Sequence, residues 1–190
     1  MPTVYRNLFL FMWTAWALYW WALSFNVKVT AQREPLRSRL LHLGPLLLAA
    51  LLLWLPNVPL ALLRARFLPQ ATWPFWLGAA LTAAGLLFSV WARRHIGRNW
   101  SAIVTIKERH EFVASGPYAI VRHPIYTGLL LAFAGSAMAL GELRGALAVA
   151  IAAWALWRKL RLEERWMHQH FGEAYREYCR HVAALLPFVW

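Results

Sequence analysis

The chain has 190 residues, of which 61% are hydrophobic and 15% charged, and its formal net charge is +12. A soluble domain of this length carries about 45–50% apolar and about 25% charged residues. The apolar excess lies in long runs and therefore indicates membrane spans. The single cysteine, Cys179, excludes an internal disulfide framework and a cysteine-based zinc site. The basic residues lie beside the apolar runs, as topology signals do, so we expect contact with membrane lipids and no nucleic-acid binding.

Three apolar runs in the first half of the chain predict membrane helices. They cover residues 7–27, 43–63 and 73–92, each near the ~20 residues that cross a bilayer. Pro56 and Pro59 interrupt the second run, and neighbouring helices would satisfy the backbone groups that these prolines free. Residues 1–92 are thus predicted to form an N-terminal three-helix membrane anchor region.

The second half begins with a polar stretch, residues 93–122, and continues with two shorter apolar runs. The runs cover 124–140 and 144–157 and are separated by Gly141, Glu142 and Leu143. They predict a tight helical hairpin, followed by an amphipathic helix over residues 158–181. The expected fold is an all-α integral membrane protein with about five transmembrane helices, the last two forming the hairpin, in one domain overall.

Lysine and arginine near the span ends predict the orientation of this multi-pass protein. The basic loop 28–39 and the basic stretch 93–122 lie on one side if five helices alternate, and that side is expected to be cytoplasmic. Arg64 and Arg66 fall on the opposite side. Most of the polar residues of the second half therefore face the cytoplasm.

The residues around Pro124 are the first candidates for chemistry. Gly116-Pro117 is a turn signal, and Pro124 fits the first turn of the next helix. Arg122 and His123 then lie at a helix start, where free backbone N–H groups and the helix dipole favour an anion. An interfacial basic cap that reaches the membrane surface explains the same pattern, and both interpretations stay open.

The charged residues after position 157 are the second group of candidates. Lys159 and Glu163 are four residues apart, so they share one face of a helix. They predict either an ordinary surface ion pair or a binding edge. In a binding edge, Glu163 accepts hydrogen bonds from a ribose or an amino group and Lys159 holds an anionic group. Arg158, Arg161 and Glu164 are close enough in sequence to take either role.

The second half of the chain contains several short motifs, and both their order and the spacing between them are informative. They are Asn99-Trp100-Ser101-Ala102-Ile103, His110 to Val113, Gly116-x-Tyr118, Arg122-His123-Pro124-x-Tyr126, Glu163-Glu164 and Phe171-Gly172-x-x-Tyr175-x-x-Tyr178. Together with Leu186-Pro187, they resemble the isoprenylcysteine carboxyl methyltransferase family, in its short bacterial and archaeal type. The resemblance covers residues 97–187, roughly half of the chain.

The resemblance implies that residues 93–190 are the catalytic region and form a cytoplasmic cap that binds S-adenosylmethionine. It implies no metal ion. The positions that match the cofactor-binding positions of the family are Thr105, His110, Glu111, Phe112, Val113, Tyr118, His123, Pro124, Ile125, Tyr126 and Glu163.

One position departs from the family pattern. Family members carry an arginine four residues before the glutamate, and this chain has Lys159 there. Lysine keeps the charge but lacks the bidentate fork of a guanidinium group. The residues expected to meet the substrate are therefore Lys159, with Arg158 and Glu164 beside it, and Arg161 as a further substitute.

The implied reaction is methyl transfer to the carboxylate of a prenylcysteine or a similar lipid-like acceptor in the bilayer. A carboxylate is ionised at pH 7, so it needs only positioning and removal of water. A phospholipid amine or a small thiol is the alternative acceptor; an amine must lose a proton, for which Glu164 or His123 is the candidate. An NADPH-dependent membrane reductase shares the Arg-His-Pro element and is a second alternative. A transport protein is disfavoured, because the spans contain almost no ionisable residues.

Overall fold

A computed structural model describes residues 3–25, 30–55, 59–97, 100, 105–107 and 113–187. Within these ranges the chain forms six α-helices and one short antiparallel ribbon. The helices are α1 (Thr3–Ser24), α2 (Leu36–Trp54), α3 (Thr72–Ile96), α4 (Pro124–Leu140), α5 (Leu143–Phe171) and α6 (Glu173–His181). The ribbon pairs β1 (Thr30–Arg33) with β2 (Thr105–Lys107), and short 3-10 helices cover Ala61–Arg64 and Gly116–Ala119. The helical class is confirmed, and the ribbon is an addition that the sequence pattern did not predict.

The second helix lies earlier in the chain than predicted. It was expected over residues 43–63, and α2 instead covers Leu36–Trp54. Pro45 lies inside it, whereas the helix ends before Pro56. A proline disfavours the helical region for the residue that precedes it, so the prolines beyond Trp54 follow the helix rather than interrupting it. The predicted first and third helices are present, but their ends differ from the predicted ones. Helix α1 covers Thr3–Ser24 and α3 covers Thr72–Ile96.

The predicted boundary after residue 157 is wrong. The apolar run and the polar run that follows it form one continuous helix, α5, which ends only at Gly172 with φ of 55°. A change from apolar to charged side chains does not interrupt the backbone, and residues 146–171 contain no proline or glycine. The charged residues of α5 are therefore rigidly connected to its apolar half.

The helical hairpin is present, and glycines bring its first helix close to α3. Gly78 and Gly85 on α3 face Gly135 and Gly128 on α4, and a Cβ atom at Gly135 would lie 2.5 Å from the carbonyl oxygen of Gly78. Such close backbone approach is possible only without side chains. Helix α4 ends before Gly141, and a short turn leads into α5, which packs against both α4 and α2.

Substituting Gly135 with alanine is expected to lower the free energy of unfolding by about 1–3 kcal/mol, because the backbone of α3 must move away. Thermal unfolding of the detergent-purified protein measures the effect. Gly44→Ala on α2 is the control, since its Cβ atom would have no neighbour within 4 Å. That change should leave the protein as stable as the parent or up to about 1 kcal/mol more stable. Equal effects of the two substitutions would contradict the close packing of α3 and α4.

Two helices of the described chain, α2 and α3, are long and apolar enough to cross a membrane, and α4 is apolar but shorter. Their outward faces carry exposed apolar side chains such as Leu47, Trp76 and Leu87. An apolar surface of this kind is typical of contact with lipid.

Candidate functional site

The candidate site lies where the start of α4 meets the polar half of α5. Residues 182–185, which we call the C-terminal strap, run beside this helix start. The backbone N–H groups of Arg122 and His123 donate to the carbonyl oxygens of Ala183 and Ala184 at 2.8 and 3.0 Å. These two N–H groups are therefore occupied by the strap and are not free for an anion. Pro124 begins the helix, as its position predicted.

The Arg122 side chain joins three parts of the chain. Its Nε and Nη2 atoms both lie 2.8 Å from Oε1 of Glu164 on α5. Its Nη1 atom donates to the carbonyl oxygens of Val182 at 2.5 Å and Cys179 at 3.3 Å. Both charged side chains are largely buried, with 13% and 14% exposed. Arg122 therefore fixes α5 and the C-terminal strap to the start of α4.

His123 lies between two carboxylates. Its Nε2 atom is 3.3 Å from Oε1 of Glu164, and its Nδ1 atom is 3.6 Å from Oε2 of Glu163. Burial opposes protonation of the ring, but the two carboxylates outweigh it and raise the pKa of His123 above its usual value. The ring is therefore favoured as a hydrogen-bond donor at both nitrogens.

Glu163 is the centre of the cluster. Its Oε1 atom accepts a hydrogen bond from the Tyr126 hydroxyl at 2.5 Å and lies 4.0 Å from Nζ of Lys159. Burial alone would raise the pKa of Glu163, but His123, Lys159 and Tyr126 lower it. The Tyr126 ring stacks on the His123 ring with centroids 5.5 Å apart. It also lies under Lys159, whose Nζ atom is 5.4 Å from the ring centre.

Glu164 is held in its ionised form more strongly than an ordinary glutamate. Burial would raise its pKa, but the hydrogen bonds and charges of His123 and Arg122 lower the pKa of Glu164 to about 2. A carboxylate whose pKa is lowered by folding stabilises the protein above its unfolded-state pKa, and that contribution is lost as the pH falls. Protonation of Glu164 at acid pH should therefore lower the free energy of unfolding.

The free energy of unfolding is expected to fall between about pH 4.5 and pH 2, the interval between the ordinary and the lowered pKa of Glu164. The share of this one carboxylate is roughly 3 kcal/mol. Chemical unfolding of the parent and of Glu164→Gln, followed by tryptophan fluorescence over this range, measures it. The variant should be less stable near neutral pH and should show a smaller slope. Equal slopes for the two proteins would contradict the assignment.

The other predicted cofactor-binding positions have different surroundings. Tyr118 is buried in the 3-10 helix Gly116–Ala119. Its carbonyl oxygen accepts a hydrogen bond from the Tyr178 hydroxyl, with the two oxygens 2.5 Å apart. Pro124 is buried and Ile125 packs beside Tyr126, whereas Val113 is half-buried at the start of the described segment that leads to Tyr118. Thr105 lies in β2, opposite Arg33. The remaining three positions, His110, Glu111 and Phe112, lie outside the described residues.

The two arginines that neighbour Lys159 on α5, Arg158 and Arg161, make contacts outside the cluster. Arg158 donates from Nη1 to the carbonyl oxygen of Ser38 at 3.1 Å, so it connects α5 to the first turn of α2. Arg161 is exposed, with its guanidinium carbon 5.8 Å from the centre of the Trp157 ring. Of the three basic residues considered from the sequence, Lys159 is the one in contact with Tyr126 and Glu163.

Sequence reasoning missed two residues beside this cluster, Glu34 and His42. Both are buried, and Oε1 of Glu34 lies 3.4 Å from Nε2 of His42. His42 follows a basic stretch and precedes an apolar run, which made it look like part of a membrane boundary. Glu34 lies before α2 and His42 within it, so no helical or strand spacing links them and the sequence carries no signal of their contact.

The cluster has two chemically different sides. The ionised carboxylates of Glu163 and Glu164 accept hydrogen bonds from hydroxyl or ammonium groups and attract a cation. Lys159 supplies a positive charge on the side that faces α2. One ligand with hydroxyl and cationic groups and a second ligand with an anionic group would both find partners here.

Comparisons with known proteins match the part of the chain that carries the cluster. The phospholipid methyltransferase family matches residues 73–174. Protein-S-isoprenylcysteine O-methyltransferase B of Arabidopsis thaliana is 31% identical over 125 residues, which are 64% of this chain and 64% of that protein. The human protein-S-isoprenylcysteine O-methyltransferase is 31% identical over 125 residues, 64% of this chain and 44% of that protein.

A third relative has a different name. The cobalt-zinc-cadmium resistance protein CzcN of Cupriavidus metallidurans is 33% identical over 115 residues, 59% of this chain and 51% of that protein. The chain spans less than two thirds of the length of each of these relatives. The family match covers more than half of the chain and includes Arg122, His123, Tyr126, Lys159 and the two glutamates.

Proposed function

Because this chain belongs to the phospholipid methyltransferase family, we propose that it transfers a methyl group from S-adenosylmethionine to a lipid-like acceptor at a membrane surface. The observation that carries the proposal is the cluster of His123, Tyr126, Lys159, Glu163 and Glu164, which lies wholly inside the matched segment. The relatives named as isoprenylcysteine methyltransferases support a prenylcysteine or a similar molecule as the acceptor.

The residues of the cluster suit S-adenosylmethionine. When bound, this cofactor supplies an electrophilic methyl group on a positively charged sulfur. Two ionised carboxylates offer acceptors for its ammonium and ribose hydroxyl groups, and buried aromatic rings at Tyr118 and Tyr126 offer apolar surface. We assign Glu163, His123 and these tyrosines to the cofactor, together with Pro124 and Ile125, and extend the assignment to Thr105 and residues 110–113 from the family pattern.

The protonation states of the cluster favour a carboxylate as the acceptor group. An ammonium group must lose a proton before it attacks, whereas a carboxylate is ionised at neutral pH. Because its pKa is raised, His123 is favoured in its protonated form and has no free nitrogen to take a proton. Glu164, with its pKa lowered to about 2, is a weak base, so neither group is suited to deprotonate an ammonium group. Lys159 meets the carboxylate in place of the family arginine, and its neighbours exclude water.

An apolar groove supplies a place for the lipid chain of the acceptor. It is an open groove between α2 and α5 with a volume of about 450 Å³. Its lining residues are apolar, and they are Gly44, Pro45, Leu48, Ala150, Ile151 and Trp154. Trp154 lies five residues, about one and a half helical turns, before Lys159, so a lipid chain that follows α5 along this groove would bring its polar end towards the cluster.

The proposed setting is a multi-pass membrane protein with about five membrane helices and its catalytic region on the cytoplasmic side. Residues 1–92 form the anchor region and residues 93–190 the catalytic region. The basic loop 28–39 and the basic stretch 93–122 support this orientation through their lysines and arginines. The cluster lies beyond the apolar stretches of α4 and α5, where a substrate head at the membrane surface is within reach.

A phospholipid amine is the second candidate acceptor, and the description of the matching family favours it. A small thiol is a further one. The NADPH-dependent reductase has no such support, because the family and the isoprenylcysteine relatives are methyltransferases. An activity screen of the purified protein with a prenylcysteine, phosphatidylethanolamine and a small thiol separates the three acceptors.

Calorimetric titration of S-adenosylhomocysteine into the detergent-purified full chain tests the cofactor. We expect a dissociation constant in the micromolar range, equivalent to about 8 kcal/mol of binding free energy. A folded preparation that does not bind S-adenosylhomocysteine would overturn the proposal. The same preparation should then be titrated with NADPH.

Lys159→Met is expected to raise KM for an N-acetylated S-farnesylcysteine by at least about tenfold, because it removes the charge that meets the carboxylate. The affinity for S-adenosylhomocysteine should stay within about twofold of the parent value. Arg161→Met is the matched control, two residues along the same helix but exposed, and it should leave both values unchanged. An unchanged KM in Lys159→Met would exclude Lys159 from the acceptor site.

A further inference from the structure

Glu34 and His42 form a buried pair beside the proposed acceptor site. Glu34 immediately precedes Pro35, the residue before α2, and His42 lies in the second turn of that helix. Their side chains are both 0% exposed, and Oε1 of Glu34 is 3.4 Å from Nε2 of His42. Both residues lie outside residues 73–174, so the family match does not account for them.

The pair faces the cluster on α5. Leu46, one turn after His42 on the same face of α2, packs against the core formed by Tyr126, Leu156 and Leu160. Arg158 donates to the carbonyl oxygen of Ser38, which brings the first turn of α2 to the level of Lys159. The packing of α2 against α5 also brings His42 within electrostatic range of Lys159, Arg158 and Glu163.

A histidine at this position costs folding free energy. Neither ring nitrogen of His42 makes a hydrogen bond of normal geometry within the described part of the chain. A buried polar group in that state destabilises a fold, whereas an apolar residue of similar size would extend the packing of Leu46. A contribution to stability therefore does not explain His42.

We propose that Glu34 and His42 are positioning residues that hold the Lys159 ammonium group in the acceptor site. Lysine is a point charge on a flexible four-carbon stem, so a single carboxylate does not define its place. Glu163 lies on one side of Nζ, at 4.0 Å, and the Glu34–His42 pair supplies negative and polar groups from the α2 side. This inference rests on the proposed function for the role of Lys159.

The pair also defines where the acceptor head lies. Lys159 follows Trp154 on α5 by five residues, and Trp154 lines the apolar groove that α2 and α5 form. An anionic head on a lipid chain in that groove meets Lys159 directly. The segment before and within α2 thus contributes to acceptor binding, in addition to anchoring the catalytic region.

The double variant Glu34→Gln, His42→Leu tests the proposal, because it removes the charge and the ring without leaving either partner alone. Glu177 and His181 supply a matched control. Their Oε1 and Nδ1 atoms are also 3.4 Å apart, but the side chains are 54% and 70% exposed on α6. The control variant is Glu177→Gln, His181→Leu.

Two measurements read the position of Lys159. The first is the rate at which acetic anhydride acetylates Lys159, followed by mass spectrometry of the detergent-purified full chain. Lys159 is 8% exposed, and we expect its labelling to become about tenfold faster in the double variant. The second is KM for N-acetylated S-farnesylcysteine, which should rise about tenfold, with kcat and S-adenosylhomocysteine affinity within about twofold.

A purely structural role predicts a different result, namely a lower unfolding temperature with both kinetic constants impaired. We expect the double variant to unfold at a temperature no lower than that of the control variant. Parent-like labelling of Lys159 in a folded double variant would overturn the proposal, as would an unchanged KM. Absence of cofactor binding or methyl transfer in the parent protein would instead reject the proposed function, and the labelling result would still decide whether the pair positions Lys159.

Discussion

Glu163→Gln is expected to weaken the binding of S-adenosylhomocysteine by roughly 10- to 100-fold, equivalent to about 1.4–2.8 kcal/mol. Glutamine keeps the size of the side chain and an oxygen that can accept the hydrogen bond from the Tyr126 hydroxyl. It removes the negative charge that attracts hydroxyl and ammonium groups and that holds His123 and Lys159. The substitution should therefore lower the affinity, and it should also lower the stability, as the loss of a buried paired carboxylate does.

The substitution Glu163→Gln also affects the protonation of His123. The pKa of His123 is raised against the effect of burial by hydrogen bonds and charges from both glutamates. Loss of one of them should lower the pKa of His123, so that the variant binds the ligand less strongly still as the pH rises. Calorimetric titrations at several pH values measure both the affinity and this dependence.

Glu142→Gln is the control for this prediction. Glu142 pairs with Arg144 at 2.7 Å in a partly buried site at the start of α5, the end of the helix remote from the cluster. This substitution removes a paired carboxylate of comparable burial, so it should lower the unfolding temperature without changing the affinity. Parent-like affinity in Glu163→Gln would remove Glu163 from the cofactor site.

Arg122→Gln is expected to lower the free energy of unfolding by about 3–5 kcal/mol, the usual cost of breaking a buried ion pair from one side. Glu164 would lose its main cationic partner, and the carbonyl oxygens of Cys179 and Val182 would lose their donor. The C-terminal strap would then be held mainly by backbone hydrogen bonds and by Thr127, whose hydroxyl donates to Leu185. Limited proteolysis should cut the strap faster.

An exposed arginine–glutamate pair supplies the comparison. Nη1 of Arg176 lies 3.0 Å from Oε2 of Glu173, but the two side chains are 62% and 67% exposed. Solvent screening makes such pairs contribute little, so Arg176→Gln should leave the unfolding temperature unchanged. If Arg122→Gln behaved like Arg176→Gln in unfolding and proteolysis, the clamp between α4, α5 and the strap would not exist.

The local sequence around α4 was sufficient to predict both of its ends. Pro124 supplies the backbone angle of a first helical turn, and Gly141 adopts the left-handed conformation, φ of 67°, that commonly ends a helix. The break predicted after residue 157 was wrong because it relied on polarity alone. Helix α5 ends at Gly172, whose positive φ favours glycine over residues that carry a side chain.

The chemistry of the cluster was also partly visible in the sequence. The four-residue spacing of Lys159 and Glu163 predicts a shared helix face, and the two side chains do lie together. Nothing in the local pattern predicted that Arg122 pairs with Glu164, since these residues are 42 positions apart. The ribbon that pairs Arg33 with Thr105 was hidden for the same reason.

The sequence by itself determined the apolar helical class, the ends of α4 and the residue types available for chemistry, because helix boundaries and side-chain faces depend on neighbours within a few residues. Only the tertiary structure decided which charges meet. Packing of α2 against α5 brings Glu34 and His42 towards Lys159, and the C-terminal strap occupies the N–H groups of Arg122 and His123. Such contacts join distant segments, and their energies depend on burial and geometry that no local pattern records.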